Sequence, residues 1–149
     1  ILIFWFAIET LAAAPHFLSY YNEFAGGTLR GYRYATDSNY DWGQDLKRLR
    51  DYADEHGIRK IHVDYFGAGS PAYYLGDRAV EWHSSSGYPS DGGWLAISAT
   101  FQMGSYGTTV KGFQRKPEDS YEWLKPFRPV ARAGKSIFIY QVPAQPQIY

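Results

Sequence analysis

The chain opens with an almost uninterrupted apolar run and continues as a mixed chain with short apolar segments. In residues 1–14, ILIFWFAIETLAAA, only Glu9 and Thr10 are polar. A helix that is apolar on every side belongs in a protein core or in a membrane, but a membrane span needs about 20 residues. The run therefore predicts either the end of a longer transmembrane helix or a buried helix of a soluble domain. A signal peptide fits less well, because the run opens without a basic region.

The residues after this run favour the membrane. Phe17, Tyr20 and Tyr21 follow it directly, and amphipathic aromatic rings are typical of the border between hydrocarbon and water. We predict that these three residues lie at the membrane interface, in contact with lipid. Residues 15–36 are then a membrane-exit segment.

The clearest helix signal follows Asp41. Asp41 and Gln44 have the spacing of a capping box, and Gly57 provides a stop at the other end. The apolar positions between them recur at helical intervals and comprise Trp42, Leu46, Leu49 and Ala53. We predict an amphipathic helix that packs by this apolar face.

Short apolar segments predict β-strands at 61–66, 94–100 and 136–142, with a possible fourth at 79–83. Ser70 and Pro71 start a short predicted helix between the first two of these regions. The pattern predicts an α/β fold in residues 37–142, with a small three- to four-stranded sheet and packed helices. Residues 143–149, rich in Pro and Gln, are expected to form an extended tail.

Composition narrows the possible functions. The 149 residues suit one domain, and 15 Lys+Arg against 15 Asp+Glu argue against a nucleic-acid partner. The absence of cysteine excludes disulfides and thiolate metal sites. Aromatic residues make up 19% of the chain, which suits a core, a membrane belt or a sugar-stacking surface.

Several polar groups were candidates for chemistry. Residues 37–41, DSNYD, place oxygen ligands as a calcium loop does, but Trp42 and Arg48 stand where glycine and glutamate are required. The four histidines have no partner at metal-ligand spacing, so we expect neither a metal nor a cofactor. A last possibility is a pair of glycosidase-type acids, for which four carboxylates qualify: Asp37, Asp41, Asp64 and Glu81.

Five stretches together resemble a known family. They are PHFLSYYNEFAGG (15–27), DSNYDWGQDLKRLRDY (37–52), YFGAGSPAYYLG (65–76), WLAISAT (94–100) and YEWLKPFRPVARAGKSIFIYQV (121–142). They resemble the C-terminal region of bacterial multi-spanning, lipid-carrier-dependent glycosyltransferases, related to protein mannosyltransferases and aminoarabinose transferases. The resemblance implies that 1–14 is the end of a transmembrane helix and that the rest is extracytoplasmic, on the periplasmic side. It implies no catalytic residue here, because that family's catalytic acids lie in its transmembrane part.

The sequence thus predicts a membrane-anchored extracytoplasmic domain that is not catalytic alone and that positions a partner or a glycan. The predicted binding residues are Asp37, Asn39, Asp41, Gln44, Tyr73 and Tyr74; their alternative role is to hold the exit segment against the helix. The expected partners are membrane lipid, other membrane segments or subunits, and a glycan or polyprenyl-phosphate sugar. Two other functions remain open: a single-span accessory subunit of a membrane complex, and an independent sugar-active enzyme.

Overall fold

A computed structural model describes residues 1–106 and 120–145, which build an α/β fold on a five-stranded mixed sheet. The helices are α1 (Leu2–Ala13), α2 (Gly27–Arg30), α3 (Leu46–Glu55), α4 (Pro71–Leu75) and α5 (Ala99–Tyr106). The strands are β1 (Ile61–Asp64), β2 (Ala79–Glu81), β3 (Gly93–Ser98), β4 (Ala131–Ala133) and β5 (Ile137–Val142). Their order is β2-β1-β3-β5-β4, with β1 parallel to β2 and β3, and β5 antiparallel to β3 and β4.

The α/β class is confirmed, but the predicted count of three to four strands is wrong. The strand that the sequence pattern missed is β4, an edge strand of three residues without a β-branched side chain. A run this short shows no detectable alternation, and it forms because β5 supplies its hydrogen-bonding partner. The predicted strand at 94–100 also ends early, because Ala99 begins α5.

Both faces of the sheet are buried. On one face α3 and α4 pack against a mainly aliphatic cluster that includes Leu49, Ile61, Val63 and Ile139. The opposite face carries an aromatic cluster that includes Tyr40, Tyr121, Phe138 and Tyr140. Successive strand residues point to opposite faces, so β5 supplies both clusters in alternation. Much of the aromatic content is therefore core.

Helix α3 begins at Leu46, and the predicted helix start at Asp41 is wrong. Gly43 adopts φ +81°, a left-handed conformation that interrupts a right-handed helix. The Tyr65 hydroxyl donates to the Gly43 carbonyl at 2.7 Å, and a Cβ at position 43 would overlap that hydroxyl. Trp42 consequently lies outside the helix and is 61% exposed, so its predicted place in the core is also wrong.

Asp45, directly before α3, joins that helix to the turn between β4 and β5. Its Oδ2 accepts hydrogen bonds from the Lys135 and Ser136 amides at 2.8 and 3.0 Å and from the Ser136 hydroxyl at 3.0 Å. Its Oδ1 accepts from Arg48 at 2.7 Å. The carboxylate is fully buried, and these four donors replace the water that it loses.

The exit segment, residues 15–36, is connected to the same turn by hydrogen bonds through Tyr40. The Ser19 hydroxyl donates to the Tyr40 carbonyl at 2.9 Å. The Tyr40 hydroxyl lies 2.8 Å from the Thr28 carbonyl and 3.0 Å from that of Lys135. Within the segment, Phe17 and Tyr20 are exposed and Tyr21 packs against the aromatic cluster.

Helix α1 stands apart from this core. Its large apolar side chains are exposed: Leu2, Ile3, Phe4, Trp5, Phe6, Ile8 and Leu11. Ala13 is its only buried residue. Within residues 1–106 and 120–145, no helix combines the length and the apolar content that crossing a bilayer requires.

Asp45→Asn is expected to lower the free energy of unfolding by about 3 kcal/mol. The side-chain NH₂ of asparagine would face N–H or O–H groups that now donate to a carboxylate oxygen. Urea unfolding measures this change. Asp51→Asn is the matched control, since Asp51 is an exposed carboxylate on the same helix. Equal effects of the two substitutions would show that Asp45 does not have this role.

Candidate functional site

A crevice of about 310 Å³ lies at the carboxyl ends of β1 and β2. Strand β1 is central to the parallel part of the sheet, with β2 on one side and β3 on the other. The chain therefore leaves β1 toward one neighbour and reaches the other by crossing over. Ligands of open α/β sheets bind outside the carboxyl ends of strands at such a reversal. We call this cavity the sheet-edge crevice; its walls come from residues 63–72 and 79–83.

Three titratable side chains form a row in the crevice. Asp64 ends β1 and Glu81 ends β2, and His83 follows two residues later. His83 Nδ1 lies 3.7 Å from Asp64 Oδ1, and His83 Nε2 lies 3.3 Å from Glu81 Oε1. The imidazole of His83 therefore lies between the two carboxyl groups.

The two carboxylates have different surroundings. Asp64 is buried, whereas Glu81 is exposed. Burial raises the pKa of Asp64, although the Tyr121 hydroxyl, which donates to Oδ2 at 2.6 Å, acts in the opposite direction. A buried acid with a raised pKa beside a histidine is typical of a functional site.

The other lining residues limit the kind of ligand. Trp82 and Tyr65 supply aromatic surface, and Gly67 and Gly69 line the crevice between them. No lysine or arginine is among the described residues that line the crevice. Without a lysine or arginine, the lining offers a phosphate or carboxylate ligand no permanent positive charge, and its carboxyl groups disfavour an anion. A neutral molecule with many hydroxyl groups fits better, because carboxylates accept hydroxyl hydrogens and aromatic rings cover sugar faces.

Three of the predicted binding residues, Asn39, Asp41 and Gln44, are not among the described residues that line the crevice. Gln44 donates from Nε2 to the Ser19 hydroxyl at 3.1 Å and accepts from the Trp42 amide at 2.8 Å. Asn39 is exposed, and the side chain of Asp37 lies outside the described part of the structure. The contacts of Gln44 support the alternative role of this stretch, which is to hold the exit segment.

Tyr73 and Tyr74, the other predicted binding residues, lie on α4. Tyr73 is 83% exposed, while Tyr74 packs against the aliphatic cluster. Their rings meet edge to face, with centroids 5.1 Å apart. Tyr73 offers a free aromatic face, but neither ring lines the crevice.

Asp41 is a buried carboxylate with an unusual environment. Its Oδ1 accepts from the Gly43 amide at 2.9 Å, but Oδ2 has no hydrogen-bond partner among the described residues. The Ser136 hydroxyl lies nearby, yet its single hydrogen is donated to Asp45 at 3.0 Å. Burial raises the pKa of Asp41 to about 6.

The sequence showed only part of the row in the crevice. Asp64 and Glu81 were among four carboxylates that can pair in space, but nothing in the chain order pointed to His83 or Tyr121. The available signal was that Asp64 and Glu81 both lie within predicted strands, at 61–66 and 79–83, but the pattern did not show that these strands are parallel neighbours or that they end at these two residues. In the part of the chain that the structure describes, no three His, Asp or Glu side chains are placed to hold a metal ion.

The structure is an α/β domain with a crevice at the carboxyl edge of its sheet. The chain matches no protein-family model, and no match was found among curated proteins or solved structures. The resemblance to glycosyltransferases therefore stays a prediction.

Asp41→Asn is expected to raise the free energy of unfolding by about 2 kcal/mol above pH 7 and to change it little near pH 4. The folded pKa exceeds the unfolded value of 3.8. The stability due to protonated Asp41 is therefore complete below about pH 4 and is lost as pH rises through about 6. Urea unfolding of both proteins across this range measures the difference. A difference that does not vary with pH would contradict the assignment.

Proposed function

We propose that this chain is a membrane-anchored extracytoplasmic domain of glycosyltransferase type, which positions a glycan close to the membrane and is not catalytic alone. The observation that carries this proposal is α1, whose large apolar side chains are exposed around the helix. Each such side chain gains about 1.5–3 kcal/mol when it leaves water. A helix with seven of them requires an apolar environment, and we take that environment to be lipid.

The position of the polar groups near α1 supports a bilayer. Residues 1–8 carry no polar side chain, and Glu9 comes one turn before the helix ends. The Tyr20 hydroxyl, from the exit segment, donates to the Glu9 carboxylate at 2.6 Å. Tyr20 and Phe17 are exposed beside this end of the helix, as interfacial aromatic residues are.

The crevice and the exit segment lie at the same edge of the sheet, which supports a role close to the membrane. Ser98, at the carboxyl end of β3, pairs with Ile137 at the start of β5. The turn before Ile137 binds Tyr40 and, through it, the exit segment. Asp64 lies at this edge as well, since it pairs with Ile97. A ligand in the crevice would therefore lie at the end of the sheet that holds the exit segment.

The anchor is tested by flotation with neutral phosphatidylcholine vesicles. The double substitution Ile3→Lys and Phe6→Lys is expected to reduce vesicle binding at least about tenfold, because lysine in hydrocarbon costs about 2.5–3.5 kcal/mol. Both side chains are exposed, at 87% and 72%, so folding is not expected to suffer.

The matched control places two lysines on α3 instead, as Asp51→Lys and Glu55→Lys. Both of those side chains are exposed to water. Equal flotation of the α1 variant, the α3 variant and the unmodified chain would refute membrane attachment through α1.

The glycan site is tested by saturation-transfer NMR with methyl glycosides and short oligosaccharides. Glu81→Gln and His83→Ala are each expected to weaken binding by about tenfold, since a hydrogen bond to a charged group contributes about 1.5–3 kcal/mol. Asp77→Asn, an exposed acid on the neighbouring turn, serves as the control and should bind normally.

The same titration separates the remaining functions. A sugar phosphate that binds more tightly than its parent sugar, or equal binding by all variants, would contradict a neutral-glycan site. Failure of every glycan to bind would leave the accessory subunit as the better account. Turnover of simple glycosides that His83→Ala abolishes would favour an independent sugar-active enzyme.

A further inference from the structure

A second cavity, of about 360 Å³, adjoins the sheet-edge crevice, and Asp64 and His83 line both of them. We call it the α5 cavity. Its remaining described lining comes from Ser84 and from four residues of α5: Thr100, Phe101, Gly104 and Ser105. Each cavity alone is at the low end of the volume range for small-molecule sites. The two together would accommodate a longer ligand.

The two cavities belong to opposite faces of the sheet. The sheet-edge crevice includes Pro71 from α4, which packs on the aliphatic face. The α5 cavity is formed by a helix whose Tyr106 packs against the aromatic cluster. Between the cavities, Asp64 is buried and the side chain of His83 is 61% exposed. A ligand that occupies both cavities therefore crosses the carboxyl edge of the sheet at these two residues.

The lining of the α5 cavity is chemically similar to that of the crevice. The Phe101 ring is 38% exposed and meets the Phe66 ring edge to face, with centroids 5.6 Å apart. Ser84 and Thr100 add hydroxyl groups, and no lysine or arginine is among the described lining residues. An aromatic ring beside hydroxyl groups suits a second neutral sugar, because the ring covers the sugar face and the hydroxyls exchange hydrogen bonds.

We propose that the sheet-edge crevice and the α5 cavity form one site for a neutral disaccharide or longer glycan. One sugar ring lies in each cavity, and the linkage between the rings lies at Asp64 and His83. The proposal rests on the proposed function, which assigns a neutral glycan to the crevice. It adds a requirement for length, because a single sugar contacts only one of the two cavities.

The test is calorimetric titration of the full chain with methyl glycosides and with the disaccharides of the same sugars. The buffer contains no glycoside detergent, because its sugar headgroup would compete. We expect a disaccharide to bind about tenfold more tightly than its methyl glycoside, since the second ring adds hydrogen bonds and an aromatic contact. A site for one ring would gain no more than about twofold, which is the statistical advantage of offering it two rings.

Two substitutions alter the α5 cavity, and each has a matched control. Phe101→Ala removes its aromatic ring, whereas Phe24→Ala removes a phenylalanine that is 89% exposed and lines neither cavity. Ser84→Leu narrows the cavity, whereas Ser85→Leu changes the exposed neighbouring serine, which lines neither cavity. The ratio of disaccharide to methyl-glycoside affinity should fall to about one in Phe101→Ala and Ser84→Leu. It should stay near tenfold in both controls.

The outcomes separate this inference from the proposed function. A disaccharide advantage of about twofold or less in the unmodified chain would overturn the two-ring site and leave the single-sugar site in the crevice intact. An advantage that survives both Phe101→Ala and Ser84→Leu, or that the two controls lose equally, would also overturn the two-ring site alone. Failure of every methyl glycoside and disaccharide to bind would overturn the glycan site and the two-ring site together.

Discussion

The buried carboxylate of Asp45 is the interaction on which the arrangement of the other parts depends. It accepts four hydrogen bonds, from Arg48 on α3 and from Lys135 and Ser136 in the β4–β5 turn. A charge without water in a protein interior is tolerated only with this degree of satisfaction. The turn is shaped for it, because Gly134 has φ +58° and a Cβ there would collide with the carboxylate. The start of α3 and the end of the sheet are consequently held at one point.

That point also determines where the exit segment lies. The Lys135 carbonyl is within hydrogen-bonding distance of the Tyr40 hydroxyl, and the Tyr40 carbonyl accepts from Ser19. Arg132, on the edge strand β4, donates to the Leu29 carbonyl at 2.8 Å and covers the Tyr32 ring at 4.9 Å. Since these contacts reach the β4–β5 hairpin directly or through Tyr40, the exit segment is held against the sheet by packed groups rather than joined to it by a free linker.

The sequence predicted the elements whose signal is local. Strands β1, β3 and β5 and the short helix α4 lie where apolar runs and a first-turn proline placed them. It did not predict β4, whose three residues form a strand only because β5 is beside them. It also misplaced the start of α3, because the capping-box spacing is satisfied locally by a turn: Gln44 accepts from the Trp42 amide instead of capping the helix.

The site was harder to predict than the fold, because its residues come from separate strands. Asp64 and Glu81 are close only through parallel pairing of β1 and β2, and Tyr121 reaches Asp64 from 57 positions away. Chain order contains no signal for such contacts. The stretch at 37–44 was predicted to bind a ligand because its polar residues are contiguous. Contiguous polar residues most often satisfy nearby backbone groups, as Gln44 does here.

The overall charge balance of the chain does not describe the charge on its individual surfaces. Equal numbers of acidic and basic residues predict no strong field around the molecule. Within a few ångströms the balance does not hold, because the sheet-edge crevice has two carboxylates and no lysine or arginine among its described lining. In the exit segment, by contrast, the Glu23 carboxyl group lines the same cavity as the guanidinium groups of Arg30 and Arg33. Interactions between exposed charges are largely screened beyond about 10 Å, so these local differences govern the electrostatics of each surface more than the net charge does.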